Sequence, residues 1–295
     1  MSNLHSNSMV NINGKISKAA DAKISVFDRG FLFGDSVYEV VRTYEGIPLL
    51  LNEHLRRLWH SAAKIDMPIR FSQEHIIREI NATLGELGVQ SAYVRIMVTR
   101  GESPPFLDPS LSGPNNLIII AREFKENPKD WYEKGINVII SNIERTSIKA
   151  FDPNIKSGNY LNNVMAYMTA KKEGAFDAVM LNSLGHITEG TTSNIWMVKD
   201  KKVYTPPLSS GLLDGITRKT VLVLAKKSGL IVEQKNLTPD DLINADEAFL
   251  TATTKEVVPV SRVNNAPIGT GEPGKVTLSI LKLYREFIQE QIKNS

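Results

Sequence analysis

Residues 152–160 read Asp152-Pro153-Asn154-Ile155-Lys156-Ser157-Gly158-Asn159-Tyr160, just ahead of the apolar run Leu161–Met168. The Asp-Pro and Ser-Gly pairs punctuate the chain, so this stretch reads as a loop feeding a helix. A lysine at such a junction can be partly desolvated, which frees its amine for Schiff-base chemistry. Taken alone, Lys156 is more often a surface residue near a helix start.

Working outward, the spacing predicts an α/β chain in two halves. Strand-like runs fall around Ile16–Phe27 and Val37–Tyr44, then helices over Glu53–Asp66 and Gln73–Leu87, the second closed by Gly88 as C-cap. Strands follow at Tyr93–Thr99 and Leu117–Arg122. Between them Gly101–Pro114 holds four prolines and shows no periodicity, which marks an exposed loop of a length that is usually functional or disordered. The charged stretch Lys125–Lys134 contains Pro128 and reads as a linker. The expected division is therefore a small N-terminal domain over 1–124, a linker over 125–134 and a larger C-terminal domain over 135–295. In that second half the pattern gives strands at Ile136–Ser141, Ala178–Leu181, Asn194–Val198 and Ala248–Ala252. Helices are expected at Asn159–Lys172, Thr217–Ser228 and Val276–Lys293.

Three further motifs lie in the second half. Thr188-Glu189-Gly190-Thr191-Thr192-Ser193-Asn194 sets a carboxylate beside glycine and small hydroxyls, suited to holding a ring nitrogen. Leu213-Asp214-Gly215-Ile216-Thr217-Arg218 places glycine and threonine at a helix start, where backbone N–H groups form an anion site. Thr251-Ala252-Thr253-Thr254-Lys255-Glu256 offers hydroxyls at a strand end. Each also reads as an ordinary polar turn or cap. Gly269–Gly274 (GTGEPG) imitates a dinucleotide fingerprint, but Pro273 interrupts it and no βαβ unit can follow in the residues that remain.

Composition narrows the classes. With 295 residues and 42% hydrophobic content the chain can bury a core. The net charge of +3 is spread along the chain and suggests no nucleic-acid surface. There is no cysteine, so disulfides and thiolate chemistry are excluded. The five histidines show no metal-ligand spacing, and His54 and His60 read as structural. Apolar runs such as Leu117–Ala121 are strand-length, and Met1–Lys15 has no hydrophobic signal core. No membrane or metal is expected, and a soluble cytoplasmic protein is.

The order and spacing of the four motifs resemble the fold-type IV pyridoxal-phosphate family of branched-chain aminotransferases, D-amino-acid aminotransferases and aminodeoxychorismate lyases. The resemblance runs from about Val26 to Arg285. It implies a two-domain transaminase with pyridoxal 5′-phosphate held between a small N-terminal α/β domain and a larger C-terminal domain. Lys156 resembles the Schiff-base lysine and Glu189 the partner of the pyridine nitrogen. Arg57 resembles the phosphate arginine, with Ile216, Thr217 and Thr253 completing a phosphate cup. Leu213 resembles the apolar residue under the ring, and Tyr160 a residue near the phenolic oxygen. Phe33, Tyr38, Val40, Tyr93, Arg95 and Thr254 fall at substrate-binding positions. The resemblance also implies a homodimer, with loop 101–114 bordering the neighbouring active site through Phe106 and Leu107.

Subfamily signals are mixed. Tyr38-Glu39-Val40 resembles the D-amino-acid group, but Pro105 and Leu107 stand where that group has a carboxylate-binding arginine and histidine. Tyr93-Val94-Arg95 and IKSGNYLNNVMA resemble the branched-chain group, while Thr251–Lys255 departs from its usual T-G-T-A-A. Expected first is transfer from apolar or branched-chain L-amino acids to 2-oxoglutarate. D-amino-acid or R-amine transamination comes second and aminodeoxychorismate lysis third.

Overall fold

The computed structural model describes residues 7–294. Its chain packs as two compact units, one running through Lys125 and including Ile155–Asn159 and the last residues from Ile292, the other Glu126–Asn154 with Tyr160–Gln291.

The first unit is a six-stranded antiparallel sheet built from β1 (Ser8–Ile12), β2 (Lys15–Lys18), β3 (Ser36–Tyr44), β4 (Ile47–Pro48), β5 (Ala92–Thr99) and β6 (Asn116–Glu123). The strand order is β2-β1-β6-β5-β3-β4. Its helices are α1 (Arg29–Phe33), α2 (Leu51–Ala63) and α3 (Gln73–Leu87). Ser72 caps α3 by accepting from the His75 N–H, and Gly88 ends it at φ 68°, a left-handed conformation that glycine adopts without steric cost. Alternation along β5 buries Ala92, Val94, Ile96 and Val98 with Ile76 and Ile80 of α3 in the core. Tyr93, Arg95 and Met97 stand on the other face. Register pairs them with Arg42, Val40 and Tyr38 of β3. The run expected as strand to Phe27 stops at Lys18, where the Asp21 N–H donates to the Lys18 carbonyl at 2.9 Å and closes a turn, although the apolar–polar alternation continues through Val26.

The second unit carries α4 (Asp130–Glu133), β7 (Ile136–Ile140), α5 (Leu161–Lys172), β8 (Asp177–Leu181), β9 (Ile187–Gly190), β10 (Asn194–Lys199) and β11 (Lys202–Thr205). It continues with α6 (Ile216–Lys227), β12 (Val232–Gln234), α7 (Pro239–Ile243), β13 (Glu247–Ala252), β14 (Glu256–Val263), β15 (Ala266–Pro267) and α8 (Lys275–Lys293), the last of these up to Gln291. The sheet order is β12-β11-β10-β13-β14-β7-β8-β9, with β15 on β14. Pairing is parallel at β11–β12, β14–β7 and β7–β8, and antiparallel elsewhere. The core gathers Val138, Val179, Ile195, Leu250 and Val258, and Trp131 and Tyr132 of the charged 125–134 segment pack against it. Pro259 lies inside β14, which hides this strand from a propensity reading. Pairing with β7 begins only at Val260, so the missing proline N–H falls outside that ladder.

Helix α5 buries Asn163, Ala166 and Ala170, while Leu161, Val164, Met165 and Met168 are exposed. Their i, i+3, i+4, i+7 spacing makes one apolar stripe. Among the described residues no helix is long and apolar enough to cross a membrane, and no cluster of His, Asp or Glu could hold a metal.

Candidate active site

In the first unit the Lys156 segment lies against the start of β3. Lys156 donates its N–H to Ser61 Oγ at 3.1 Å, and its carbonyl accepts from the Tyr38 N–H at 2.9 Å. Ser157 bridges antiparallel to Val37, and Gly158 N–H donates to the Ser36 carbonyl at 2.9 Å. A Cβ at position 158 would collide with Ser36 Oγ, so only glycine lets the two backbones approach this closely. These contacts fix where the lysine leaves the backbone. Its Nζ lies 3.5 Å from the Tyr38 hydroxyl and 4.5 Å from the ring centroid, and the Arg95 guanidinium carbon lies 3.7 Å from the same centroid. Tyr38 is thus a buried ring shared by two cations. Val40 pairs with Arg95, while Tyr93 lies 4.8 Å from the Arg122 guanidinium and Phe33 4.9 Å from that of Arg29.

The alternation that turns Tyr38 to one face of β3 turns Glu39 to the other, against α2. Arg57 donates to Glu39 through Nε at 2.6 Å and Nη2 at 2.9 Å, and His54 Nδ1 lies 2.7 Å from Glu39 Oε2. Burial by itself would raise the Glu39 pKa. The Arg57 charge and hydrogen bonds, with His54, outweigh it and hold this carboxyl well below the usual range. Burial pulls His54 below its ordinary value despite Glu39, so the neutral ring presents its Nδ1–H to the carboxylate. Arg57, expected to meet a phosphate, is therefore oriented by an anion of its own chain.

In the second unit Glu189, at the end of β9, is buried. Its Oε1 accepts from Arg145 Nε at 2.9 Å and its Oε2 from the Leu213 N–H at 3.0 Å. The turn that begins at Leu213 leads straight into α6. The Asp214 N–H donates to Asn154 Oδ1 at 3.0 Å, and Asn194 Nδ2 donates to the Leu213 carbonyl at 2.9 Å. Gly215 is the N-cap and offers no side chain to the first-turn N–H groups of Ile216–Arg218, which have no partner within the helix. Asp214 is drawn off to Lys219 at 2.7 Å and Arg218 at 3.6 Å. Such a helix start, with buried Thr217 in its first turn, is suited to a phosphate. Thr253 and Thr254 form the tip of the β13–β14 hairpin, where Asn127 Nδ2 donates to the Thr254 carbonyl at 2.8 Å. Tyr160 is the N-cap of α5.

Lys156, Tyr38, Arg95, Glu39 and Arg57 thus belong to one unit, and Glu189, Leu213, Ile216, Thr217, Thr253 and Thr254 to the other. Sequence reading missed Arg145 and the pairing of Glu39 with His54, and it quoted Asn194 within its motif without a role. A buried carboxylate demands a partner, but nothing in the spacing says which of many arginines supplies it.

The pattern of the chain matches the family model described as amino-transferase class IV over residues 36–263. The chain belongs to that family. It is 37% identical over 276 residues to a putative branched-chain-amino-acid aminotransferase of Methanocaldococcus jannaschii, covering 94% of this chain and 95% of the relative. It is 34% identical to a D-alanine aminotransferase of Bacillus licheniformis, covering 91% and 93%. The structure is similar to a T.th. branched-chain amino acid aminotransferase with pyridoxamine 5′-phosphate, at TM-score 0.90 and 32% identity over 94% of this chain and 93% of that one. It is also similar to the same enzyme complexed with N-(5′-phosphopyridoxyl)-L-glutamate, at TM-score 0.89, 32% identity and the same coverage.

Proposed function

We propose that this class IV aminotransferase uses pyridoxal 5′-phosphate to move an amino group from an apolar L-amino acid to a 2-oxo acid, with Lys156 as the amine to which the cofactor aldehyde attaches. The observation that carries this reading is the Leu213–Thr217 turn. One short segment donates to the buried Glu189 carboxylate and then opens a helix start without a side-chain cap. A cofactor with a ring nitrogen at one end and a phosphate at the other needs those two features in one place. The bound cofactor supplies an electron sink for the substrate α-carbon.

The residues divide the remaining work. Glu189, oriented by Arg145, keeps a negative charge at the ring nitrogen. Ile216 and Thr217 present N–H groups and a hydroxyl to the phosphate, joined in this reading by Thr253 and by Arg57, whose fork Glu39 holds in place. Leu213 and Tyr160 border the ring. Lys156 would hold and move the proton of the substrate α-carbon through its free amine. Tyr38 and Arg95 receive a substrate carboxylate, with Phe33, Val40, Tyr93 and Thr254 shaping the pocket. The choice of an L-amino acid over D-alanine is supported by Arg95 beside Tyr38 and by Pro105 and Leu107, whose side chains carry no donor for a carboxylate.

The working form in this reading is a homodimer. The apolar stripe on α5, and Phe106 and Leu107 on loop 101–114, are large apolar surfaces of the kind a second copy covers. Half-reactions followed by cofactor absorbance test the proposal. Conversion by L-leucine and none by D-alanine is expected. The reverse preference identifies a D-amino-acid transaminase, and conversion by neither, with pyruvate released from aminodeoxychorismate, identifies a lyase.

A further inference from the structure

Asp177, at the start of β8, is fully buried and takes part in none of the chemistry above. Its carboxylate accepts from the N–H of Thr191 at 3.1 Å, from the Thr191 hydroxyl and from Ser193 Oγ at 2.9 Å. It therefore folds the 191–193 loop that follows Glu189. Lys255 enters the same knot from a distant part of the chain. Its Nζ donates to Thr192 Oγ1 at 3.0 Å, stands 3.7 Å from Asp177 Oδ2 and lies 4.9 Å from the Phe176 ring centroid.

The backbone of Lys255 closes the hairpin tip that carries Thr253 and Thr254. Its N–H donates to the Ala252 carbonyl at 3.1 Å, and its carbonyl accepts from the Tyr132 hydroxyl at 3.1 Å. Glu256 follows at φ 60°, a left-handed conformation that a non-glycine residue holds only when its surroundings fix it. The hairpin tip thus carries a strained residue, has its backbone held by Asn127 and Tyr132, and reaches the loop after Glu189 through the Lys255 ammonium, whose side chain is 19% exposed.

We propose that Lys255 is a positioning residue that ties the Thr253–Thr254 tip to the loop after Glu189, through Thr192 and Asp177. It aims the hydroxyls and N–H groups of that tip at the anion they receive. This rests on the assignment of Thr253 and Thr254 to phosphate and substrate. Without the tie, the tip relaxes independently of the carboxylate side of the site. Loss of one charge-assisted hydrogen bond in a partly exposed place corresponds to about a fivefold effect.

The test compares Lys255→Met, Lys255→Arg and Thr192→Ala holoenzymes by hydrogen exchange, and by kcat and KM for 2-oxoglutarate. Expected for Lys255→Met is exchange about fivefold faster at both 191–193 and 251–256. KM rises about as much, and kcat stays within about twofold. Thr192→Ala follows in the same direction, and Lys255→Arg restores both readouts because its guanidinium reaches the same acceptors. Unchanged exchange at 191–193 in Lys255→Met overturns the inference, whatever the activity does. A wild-type protein that binds no pyridoxal phosphate overturns the functional reading instead, and the exchange comparison still decides whether the tie exists.

Discussion

Replacing Glu39 by glutamine removes one charge from a site where every partner stays in place. The carboxylate is fully buried, receives two hydrogen bonds from Arg57 and one from His54, and is the counter-ion of a guanidinium that is itself about nine-tenths buried. The substituted amide would accept at one end and turn an NH2 donor against Arg57 or His54 at the other. Breaking a buried pair this way costs about 3–5 kcal/mol, because the surviving charge stays desolvated. At about 2–4 °C per kcal/mol, Glu39→Gln should lower Tm by roughly 10 °C at pH 7. The sign with pH follows from the carboxyl being held low in the folded state. Its stabilisation is fully present above the unfolded value of 4.5 and is lost as pH falls from there toward the folded value. The gap between wild type and Glu39→Gln in thermal melts should therefore shrink as pH drops below about 4.5. His54, lowered by burial, adds a loss that begins in both proteins as pH falls below its ordinary 6.5 and is the larger in the variant, which lacks the Glu39 charge that raises it. A variant that melts with the wild type at pH 7, or a gap that stays constant down to about pH 3, would show that Glu39 is not a buried counter-ion of Arg57.

Gly215→Ala is expected to damage cofactor retention and leave the backbone unstrained. Position 215 sits at φ −64° and ψ 135°, open to any residue, but a Cβ there would strike Asn194 Oδ1. Release of cofactor on dialysis should quicken about tenfold, the effect of modest overpacking, and an unchanged rate would count against the turn as the phosphate seat. Arg29→Ala should loosen loop 101–114. The buried guanidinium donates to the carbonyls of Phe106 at 2.9 Å and Leu107 at 3.1 Å and to Ser103 Oγ at 3.2 Å. Limited proteolysis within the loop should accelerate and the dimer fraction in sedimentation should fall, while the same cleavage rate as wild type would show that Arg29 does not organise the loop.

The legible parts of the fold were those with a strong period or a cap. Helix α3 follows from its apolar spacing with Ser72 before it and Gly88 after it. Strands β3, β5 and β6 follow from β-branched runs. Strand β14 was hidden by Pro259, and β9 by the hydroxyl-rich motif that it opens. The placement of Ile155–Asn159 against β3 is a backbone pairing between segments more than a hundred residues apart, which no local pattern encodes. The same holds for the site. The motif residues announce chemistry by type and spacing, whereas Arg145 and Asp177 act through long-range contacts, and their surroundings in the sequence are ordinary.

The amine at position 156 is the one expected to bond to the cofactor. Borohydride reduction of the pyridoxal-phosphate-loaded protein, followed by digestion and mass spectrometry, locates that bond directly. The pyridoxyl mass should appear on the peptide that contains Lys156. Finding it on another lysine, or on none, would rule out Lys156 as that amine.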